Sequence, residues 1–512
     1  MIIILFPRRP AAGGRKETPR AMTHCGYASV RWDTGPEYFS RRMESAVNND
    51  NNSARLRGLL ESESSDAREI IGCLFDEGTF AELGGFVRRE LTETDRLFGG
   101  GESDFEPVIT GYGSVNGKLT YAFVQDASRM KGALTSAHAK KICDLMYKAL
   151  GRGAPVIGVF ASNGAVVTEG VAALSGYGQI IRAASDCKGR IPLIAVIDGV
   201  CASAAAAAAG IFDFTVITEK GSVYVVPPFL LKARFGDAES GTAKAAYERG
   251  AADMICPDRS GAAEAARKLI SLLPSSAGDD AVDVTDDDIN RLTPEIADMD
   301  PASLDVKDVI KTIADNGCFI ELRSGCSPEI VTGLAVLNGR TVGVAANQPS
   351  LGGRITPSSA DKAAELIDFC DSFGLPLLTL TDVPGFDLSD DSEKSGFASA
   401  LARLGYAYAT SSSPKVTAVI GPSYGGGYVL MGSKALGADI CIALEGASIA
   451  PLSPDAAAEL LRGDKPKDEL RRLYAENVSS PLCAARYGEI DEIVVPEELR
   501  QRIISAFETL CD

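Results

Sequence analysis

The chain has 512 residues, of which 45% are hydrophobic and 23% are charged. This length predicts two or three domains, and the composition is that of a soluble globular protein with enough apolar residues for large cores. The formal net charge of −18 argues against a broad surface for nucleic acid or an anionic membrane. It leaves room for a local basic pocket that binds a phosphorylated ligand.

The first 45 residues mix Arg, Pro, Gly, Asn and Ser without a usable period. We interpret residues 1–45 as a flexible extension, or as a start placed too early, since Met22 and Met43 are plausible later starts. The opening "MIIILF" is shorter than the apolar core of a signal peptide, about 7–15 residues, and than a membrane span of about 20. We therefore expect a cytoplasmic protein.

The cysteine and histidine content limits the chemistry. Twelve cysteines occur without a C-x-x-C pair, which argues against a zinc ribbon or a disulfide framework. The only histidines are His24 and His138, which are too few for us to expect a Ser-His-Asp mechanism or a histidine-bound metal. We expect no metal, and any catalysis must depend on positioned backbone groups, carboxylates or lysines.

The rest of the chain contains an internal repeat. Two segments predict β-hairpins that turn at Asn-Gly, and each is followed by an amphipathic helix, a Gly turn and a buried strand. The pairs are "GYGSVNGKLTYAFVQD" (111–126) with "GLAVLNGRTVGVAANQ" (333–348), and "AHAKKICDLMYKALGRGAPVIGVF" (137–160) with "SADKAAELIDFCDSFGLPLLTLTD" (359–382). A third pair is "GRIPLIAVIDGVCASAAAA" (189–207) with "SSPKVTAVIGPSYGGGYVL" (412–430).

The offset between the copies is steady at 221–222 residues: Lys140 falls opposite Lys362, Pro155 opposite Pro376, and Gly199 opposite Gly421. Two β-β-α-β-α-β domains, 46–285 and 286–512, follow from this repeat. An acidic stretch with proline near 275–302 joins them. We expect Lys140 and Lys362 to pair with nearby carboxylates.

In each copy an apolar strand leads into a tight turn and then a helix. The first amides of a helix have no intrahelical acceptor, so two of them can hold a developing oxyanion. In the second copy, the glycines Gly425, Gly426 and Gly427 would allow a ligand to approach, or would only permit close helix packing. In the first copy, an alanine keeps its N–H donor, but its Cβ should forbid positive φ and occupy space that the acyl group or pantetheine needs. The alanine run that follows is also compatible with a buried helix that has no active-site role.

Several motifs resemble one family, the biotin-dependent acyl-CoA carboxyltransferases. "QD" at 125–126, "GYGQI" at 176–180 and "IPLIAVIDGVCAS" resemble its first half, while "ANQPSLGGRITPSSADKAAELIDFC", "LTDVPGFD" and "SYGGGYVLM" resemble its second. "ADICIALEGASIAPLSPDAA" and "AARYGEIDEIVVPEELR" extend the match, which covers roughly residues 50–512. The family includes carboxyltransferase subunits of propionyl-CoA and acetyl-CoA carboxylases and α-subunits of glutaconyl-CoA and methylmalonyl-CoA decarboxylases.

The resemblance implies an α/β fold with two tandem crotonase-like (ClpP/crotonase) β-β-α superhelical domains. It also implies transfer of a carboxyl group between biotin on a separate carrier and an acyl-CoA thioester, with no metal. One half would hold the acyl-CoA and the other biotin, at sites formed between subunits of a dimer to hexamer. The implied partners are a biotin carrier protein, with biotin carboxylase or membrane decarboxylase subunits, because the chain has no "AMKM"-like biotin-attachment sequence and no room for an ATP-grasp domain.

Carried over from the family, Gly426 and Gly427 would hold the biotin carbonyl, and Ser203 and Ala204 the thioester carbonyl. The expected cofactor-binding residues are Tyr424, Gly425 and Asp382 around biotin, and Arg129, Lys131 and Gly164 around the CoA. Simpler roles stay open: solvated charge for the two basic residues, turn formation for Asp382 and packing for Tyr424.

The first half departs from the family pattern. "ASNGAVVTEG" (161–170) lacks the aspartate and arginine of a D-S-G-G-A-R motif, and "SAAAAAAG" replaces a Gly-Gly helix start. A second hypothesis is therefore a non-catalytic crotonase-fold scaffold that assembles with an active paralogue. A third, enoyl-CoA hydratase chemistry, is weaker because such enzymes need a glutamate pair and only Glu169 is a candidate. The sequence names neither the acyl group nor the direction of carboxyl flow.

Overall fold

The computed structural model describes residues 65–98, 105–237, 239–282, 284–300, 303–461 and 465–511. All of them belong to one compact unit that runs from Ser64 to Asp512. The expected flexible extension, 1–45, lies outside the described residues.

The first half of the described chain forms one mixed layer of strands and helices. Its strands are β1 (Ala81–Leu83), β2 (Val108–Val115), β3 (Lys118–Gln125), β4 (Val156–Ser162), β5 (Leu193–Ala202), β6 (Phe214–Thr218), β7 (Ser222–Tyr224) and β8 (Met254–Cys256). Its α-helices are α1 (Asp66–Leu74), α2 (Glu93–Leu97), α3 (Ser136–Arg152), α4 (Val171–Cys187), α5 (Ala204–Ala209), α6 (Pro228–Phe235), α7 (Ala243–Glu248) and α8 (Arg259–Leu272).

The second half repeats this arrangement. Its strands are β9 (Phe319–Leu322), β10 (Ile330–Leu337), β11 (Arg340–Asn347), β12 (Leu377–Val383), β13 (Lys415–Tyr424), β14 (Ile440–Leu444), β15 (Ser448–Ala450) and β16 (Glu492–Val494). Its α-helices are α9 (Val306–Ile313), α10 (Pro357–Phe373), α11 (Asp390–Lys394), α12 (Phe397–Thr410), α13 (Gly425–Leu430), α14 (Pro454–Leu460), α15 (Lys467–Tyr474), α16 (Pro481–Arg486) and α17 (Leu499–Leu510).

Within the described residues each half forms an eight-stranded sheet of the same topology. The first has the order β1-β2-β3-β4-β5-β6-β8 with β7 paired to β5, and the second β9-β10-β11-β12-β13-β14-β16 with β15 paired to β13. In both, an antiparallel hairpin leads into parallel strands separated by helices. Carboxyl ends of adjacent parallel strands share one sheet edge, which is where α/β proteins usually bind ligands. The expected α/β class and internal repeat are confirmed.

The hairpins turn at the two Asn-Gly pairs as the sequence predicted. Asn116 and Asn338 adopt φ of 49° and 50°, the left-handed region that a two-residue hairpin turn requires. An aspartate holds each turn from outside the hairpin: Asp76 accepts the amides of residues 116 and 117, and Asp315 those of residues 338 and 339. Arg267 and Arg500 bind these carboxylates from the last helix of each half.

The lysine correspondence in the repeat was misassigned by one residue. Lys362 is buried and donates to the carbonyl of Ile330, and its structural counterpart is Lys141, which donates to the carbonyl of Val108. Burial lowers the pKa of each to about 8. Lys140 is exposed and pairs with Asp144. The expectation of a carboxylate partner is right for Lys140. It is wrong for Lys362, because this buried lysine donates to a backbone carbonyl at the start of the neighbouring strand.

The two sheets pack through a shared interior. One continuous buried cluster includes Ile194 and Val216 from the first half with Ile367 and Leu375 from the second. At its edge Arg323 donates through Nε to Asp253 Oδ1 at 2.9 Å, joining the halves. The domain boundary at 285/286 stays a prediction.

Candidate active site

The strand-turn-helix motif occurs in both copies at the expected positions. β5 ends at Ala202, Ser203 has φ 54° and ψ −117°, and α5 begins at Ala204. β13 ends at Tyr424 and α13 begins at Gly425, whose φ is 57°. Ser203 and Gly425 are 222 residues apart and share the left-handed φ. The positive φ of the first copy thus falls on Ser203, which has a Cβ, and not on an alanine.

The backbone amide of Ser203 is not directed at a ligand. It donates to the carbonyl of Tyr224 at 2.8 Å, which joins the turn to β7. This corrects the expectation that Ser203 supplies a donor to the thioester carbonyl. With the same 222-residue offset, Ala204 and Ala205 are the counterparts of Gly426 and Gly427, and their amides lie in the first turn of α5, where no intrahelical acceptor exists.

The glycines of the second turn are required by packing. A Cβ on Gly426 would lie 2.8 Å from Phe386 Cζ, and one on Gly427 would lie 2.8 Å from Val383 Cγ2. These neighbours are a loop side chain and the end of β12 rather than a helix, so the alternative of close helix packing stays a prediction. No side chain caps the start of α13, so the role of these amides as donors stays a prediction that the packing does not oppose.

Asp382 stands at the end of β12, directly beside this turn in the sheet. It is 7% exposed, and within the described part of the chain its carboxylate has no hydrogen-bond or ion-pair partner. Burial raises its pKa to about 6. A Cβ on Gly421 of β13 would overlap this carboxylate, so glycine is the residue that fits there. The sequence selected Asp382 and matched Gly421 to Gly199 in the repeat, but it did not predict that Gly421 faces this carboxylate.

The first copy repeats the scaffold of Asp382 without its carboxylate. Ala161 occupies the corresponding position, and a Cβ on Gly199 would lie 2.9 Å from Ala161 Cβ. Gln125 Oε1 accepts the amide of Ala161 at 3.0 Å, as Asn347 Oδ1 accepts the amide of Asp382 at 3.4 Å. The two sites therefore have the same backbone framework and differ in one charged group.

The predicted CoA-side residues lie at the carboxyl-end edge of the first sheet, after β3 and β4. Arg129 is held near Asp126 (Nε to Oδ2 4.0 Å), and its guanidinium is 5.5 Å from the Phe105 ring. Lys131 is exposed, with φ 54°, and no ion-pair partner is found for it among the described residues. Gly164 has φ 122° and accepts the amide of Leu134 at 2.8 Å. Because β3, β4 and β5 are neighbours, these residues share an edge with Ala204.

The tyrosines of the second turn have different surroundings. Tyr424 donates its hydroxyl to Ser448 Oγ at 3.0 Å, which favours the packing alternative for this residue. The Tyr428 hydroxyl is buried without a partner, and so are the hydroxyls of Thr381 and Ser423 on β12 and β13. No sequence pattern predicted this set of unpaired hydroxyls.

None of the helices in the described ranges is long and apolar enough to cross a membrane. The same residues contain no group of three or more His, Cys, Asp or Glu side chains arranged to hold a metal ion.

Two repeated β-sheet halves, each with a strand-to-helix turn at the carboxyl edge of its sheet, define the class of this protein as an α/β fold with an internal repeat. A family model described as the carboxyl transferase domain matches residues 63–512. The chain belongs to this family and is an acyl-CoA carboxyltransferase.

Named relatives cover nearly the whole chain. The methylmalonyl-CoA decarboxylase subunit alpha of Propionigenium modestum is 38% identical, over 89% of this chain and 92% of its own. The propionyl-CoA carboxylase beta chain of Cereibacter sphaeroides is 36% identical, over 87% and 90%. The methylmalonyl-CoA carboxyltransferase 12S subunit of Propionibacterium freudenreichii is 34% identical, over 86% and 88%.

A solved structure has the same fold. The transcarboxylase 12S crystal structure, described as a hexamer assembly with hydrolysed methylmalonyl-coenzyme A bound, superposes with a TM-score of 0.83 at 31% identity. It covers 94% of this chain and 96% of its own. The expected pair of crotonase-like halves is confirmed by this match.

Proposed function

We propose that this chain is the carboxyltransferase subunit that moves a carboxyl group between biotin on a separate carrier protein and a short acyl-CoA. The observation that carries the proposal is the strand-to-helix turn built twice on one chain of this family, with the carboxylate of Asp382 beside one turn only. Propionyl-CoA and methylmalonyl-CoA are the first substrates to test, because three of the relatives are named for them.

The second turn fits a ureido group. Bound biotin would supply the ring nitrogen that carries the carboxyl group. Gly426 and Gly427 would present amides to the ureido carbonyl from the start of α13, where no side chain competes for them. Such preorganised donors stabilise a developing oxyanion by about 2.7–4 kcal/mol each. Gly425 supplies the left-handed turn, φ 57°, that exposes these amides, and Tyr424 supports the turn through Ser448.

The first turn would hold the thioester. Ala204 and Ala205 take the place of the glycine pair as amide donors, and the Ser203 bond to Tyr224 fixes their orientation. Lys131 and Arg129 lie on the same edge, where cationic side chains would meet the CoA phosphates. The left-handed Gly164, φ 122°, leaves the backbone open beside them.

Exposed apolar side chains beside both turns support assembly of several copies. Val167, Val171 and Leu174 are exposed by 90%, 76% and 62% next to Gly164, and Leu388 and Val429 are also exposed near α13. Apolar side chains grouped in this way mark interaction surfaces. We propose sites completed between subunits of a homo-oligomer, with the biotin carrier and a carboxylase or decarboxylase partner docking there.

The test is carboxyl exchange by the purified full chain with its biotin carrier and propionyl-, methylmalonyl- or acetyl-CoA. Gly426→Pro deletes one proposed donor, while Gly426→Ala keeps the amide and adds a Cβ against the same Phe386 ring. We expect Gly426→Pro to abolish exchange and Gly426→Ala to retain a measurable part of it. Equal activity of the two variants, both folded by circular dichroism, would remove this amide from the mechanism.

A non-catalytic scaffold is the second candidate, favoured by Ala161 and the alanine helix in the first copy. Calorimetry separates the two functions. Binding of both biotin and an acyl-CoA supports the enzyme, whereas biotin binding with no CoA binding in the assembled oligomer supports the scaffold.

A further inference from the structure

Asp382 is a buried carboxylate that the protein itself leaves without a partner. Its residue is 7% exposed, and within the described ranges no donor reaches either carboxylate oxygen. Buried carboxylates are normally paired or hydrogen-bonded, because desolvation without a donor costs several kcal/mol. The Asp382 oxygens are not among the fully buried unpaired atoms of the described residues, so they stay accessible from outside, and a ligand at the adjacent turn can supply the donor that the protein does not.

The surroundings of Asp382 exclude an internal partner. Gly421 faces the carboxylate without a side chain, and Gly353 packs against the Asp382 carbonyl. Asn347 presents its oxygen to the Asp382 amide and its Nδ2 to the carbonyl of Gly353 at 3.0 Å. The glycines thus hold the carboxylate in place without donating to it.

Among the described residues, no charged group on the elements adjacent to Asp382 pairs with its carboxylate. Lys415 and Arg340 are at the opposite ends of β13 and β11. Arg354, which lies against the loop after β12, donates to the carbonyl of Phe386 at 2.9 Å, and Asp387 in that loop accepts from Ser389 and Ser392. Burial is the sole cause of the raised pKa of Asp382.

The chemistry of the missing donor distinguishes the two ligands. A ureido ring has a carbonyl that accepts and N–H groups that donate, whereas a thioester has a carbonyl and no N–H. The second copy places a carboxylate acceptor beside amide donors, so it matches the polarity of a ureido ring, which both accepts and donates.

We propose that the ionised Asp382 carboxylate accepts a hydrogen bond from a ureido N–H of bound biotin and so positions the ring against the amides of Gly426 and Gly427. The proposal rests on the proposed function, because it takes biotin as the ligand of the second turn. Asp382 acts here as a binding and positioning group, and no proton leaves the ureido ring to it.

The experiment measures binding of biotinamide, which has no titratable group in the range used, to the full chain by calorimetry between pH 5 and pH 8. For the wild type we expect binding to strengthen as pH rises through about 6 and then to level off, because the ionised carboxylate is the better acceptor. Asp382→Asn and Asp382→Ala should bind about 10–100-fold more weakly at pH 8, the range for loss of a hydrogen bond to a charged group. Their binding should not change with pH.

Two controls keep the outcomes separate. Glu445→Gln removes an exposed carboxylate from the same half and should leave the wild-type pH profile intact, and propionyl-CoA binding should be equal in wild type and Asp382→Asn. Wild-type biotinamide binding without pH dependence, or Asp382→Asn binding as tight as wild type at pH 8, overturns the role of Asp382 while the proposed function stands. Absence of biotinamide binding by folded wild type at every pH overturns both.

Discussion

Replacing Asp382 with asparagine should stabilise the protein in the absence of ligand, and by an amount that depends on pH. Folding raises the pKa of Asp382 from 3.8 to about 6. The folded state therefore binds this proton more tightly than the unfolded state. Its stabilising contribution is complete below pH 3.8 and is lost as pH rises through about 6. At 1.36 kcal/mol per pKa unit the loss is about 3 kcal/mol.

Asp382→Asn keeps the size of the side chain and removes its ionisation. The free energy of unfolding of Asp382→Asn, relative to that of the wild type, should rise by about 2.4 kcal/mol between pH 4 and pH 8. The assay is urea denaturation at fixed protein concentration across this range, and the quantity of interest is the difference between the two proteins, since other titrating groups cancel. Glu445→Gln, at an exposed position, serves as the control and should follow the wild type.

A difference between wild type and Asp382→Asn that stays constant from pH 4 to pH 8 would show that the carboxylate is solvated or paired in the folded protein. Asp382 would then have no need of a donor from a ligand. A gain in stability together with weaker biotinamide binding is the combination expected of a group kept for a ligand at the expense of the fold.

Three further changes test the packing of the turns and hairpins. Ser203→Gly should raise the free energy of unfolding by about 1 kcal/mol in chemical denaturation, because relief of a strained φ of 54° exceeds the chain-entropy cost of glycine. Ser203→Ala should not raise it. Equal stability of the two variants would show that the backbone at residue 203 is not strained. Gly421→Ala should lower the thermal midpoint and reduce carboxyl exchange because its Cβ overlaps the Asp382 carboxylate, costing about 1–3 kcal/mol; an unchanged midpoint would show that the carboxylate can move away. Arg500→Met, at a fully buried arginine, should lower the free energy of unfolding in urea by about 3–5 kcal/mol. Arg267→Met, at the partly exposed counterpart, should lower it distinctly less. Equal losses would mean that burial does not determine how much each arginine–aspartate pair stabilises the fold.

Local patterns predicted the fold well. The Asn-Gly turns, the strand and helix periods and the steady offset are encoded in short segments, and each has its counterpart in the structure. What the sequence left undetermined depends on distant segments. The Ser203 amide donates to Tyr224 because β7, a three-residue strand, pairs alongside β5. No feature of "GVCASAAAA" predicts that partner.

The lysine error has a similar origin. "AKK" offers two lysines one position apart, and only the direction of burial on α3 determines that Lys141 points to the strand ends. Asp382 was selected from its motif, but its isolation arises from Gly421 and Gly353, which belong to separate segments. A sequence pattern identifies a carboxylate, while the absence of donors around it is a property of the folded chain.

The state of the first turn bears on the choice between enzyme and scaffold. A turn with no remaining function has no reason to keep a serine at φ 54°, a conformation that costs about 1–3 kcal/mol. Its bond to Tyr224 and the pairing of β7 hold this geometry. The amides of Ala204 and Ala205 lie in the first turn of α5, where no intrahelical acceptor exists, and we propose that they serve a thioester carbonyl. The retained turn geometry therefore favours a carboxyltransferase with a modified acyl pocket over a scaffold.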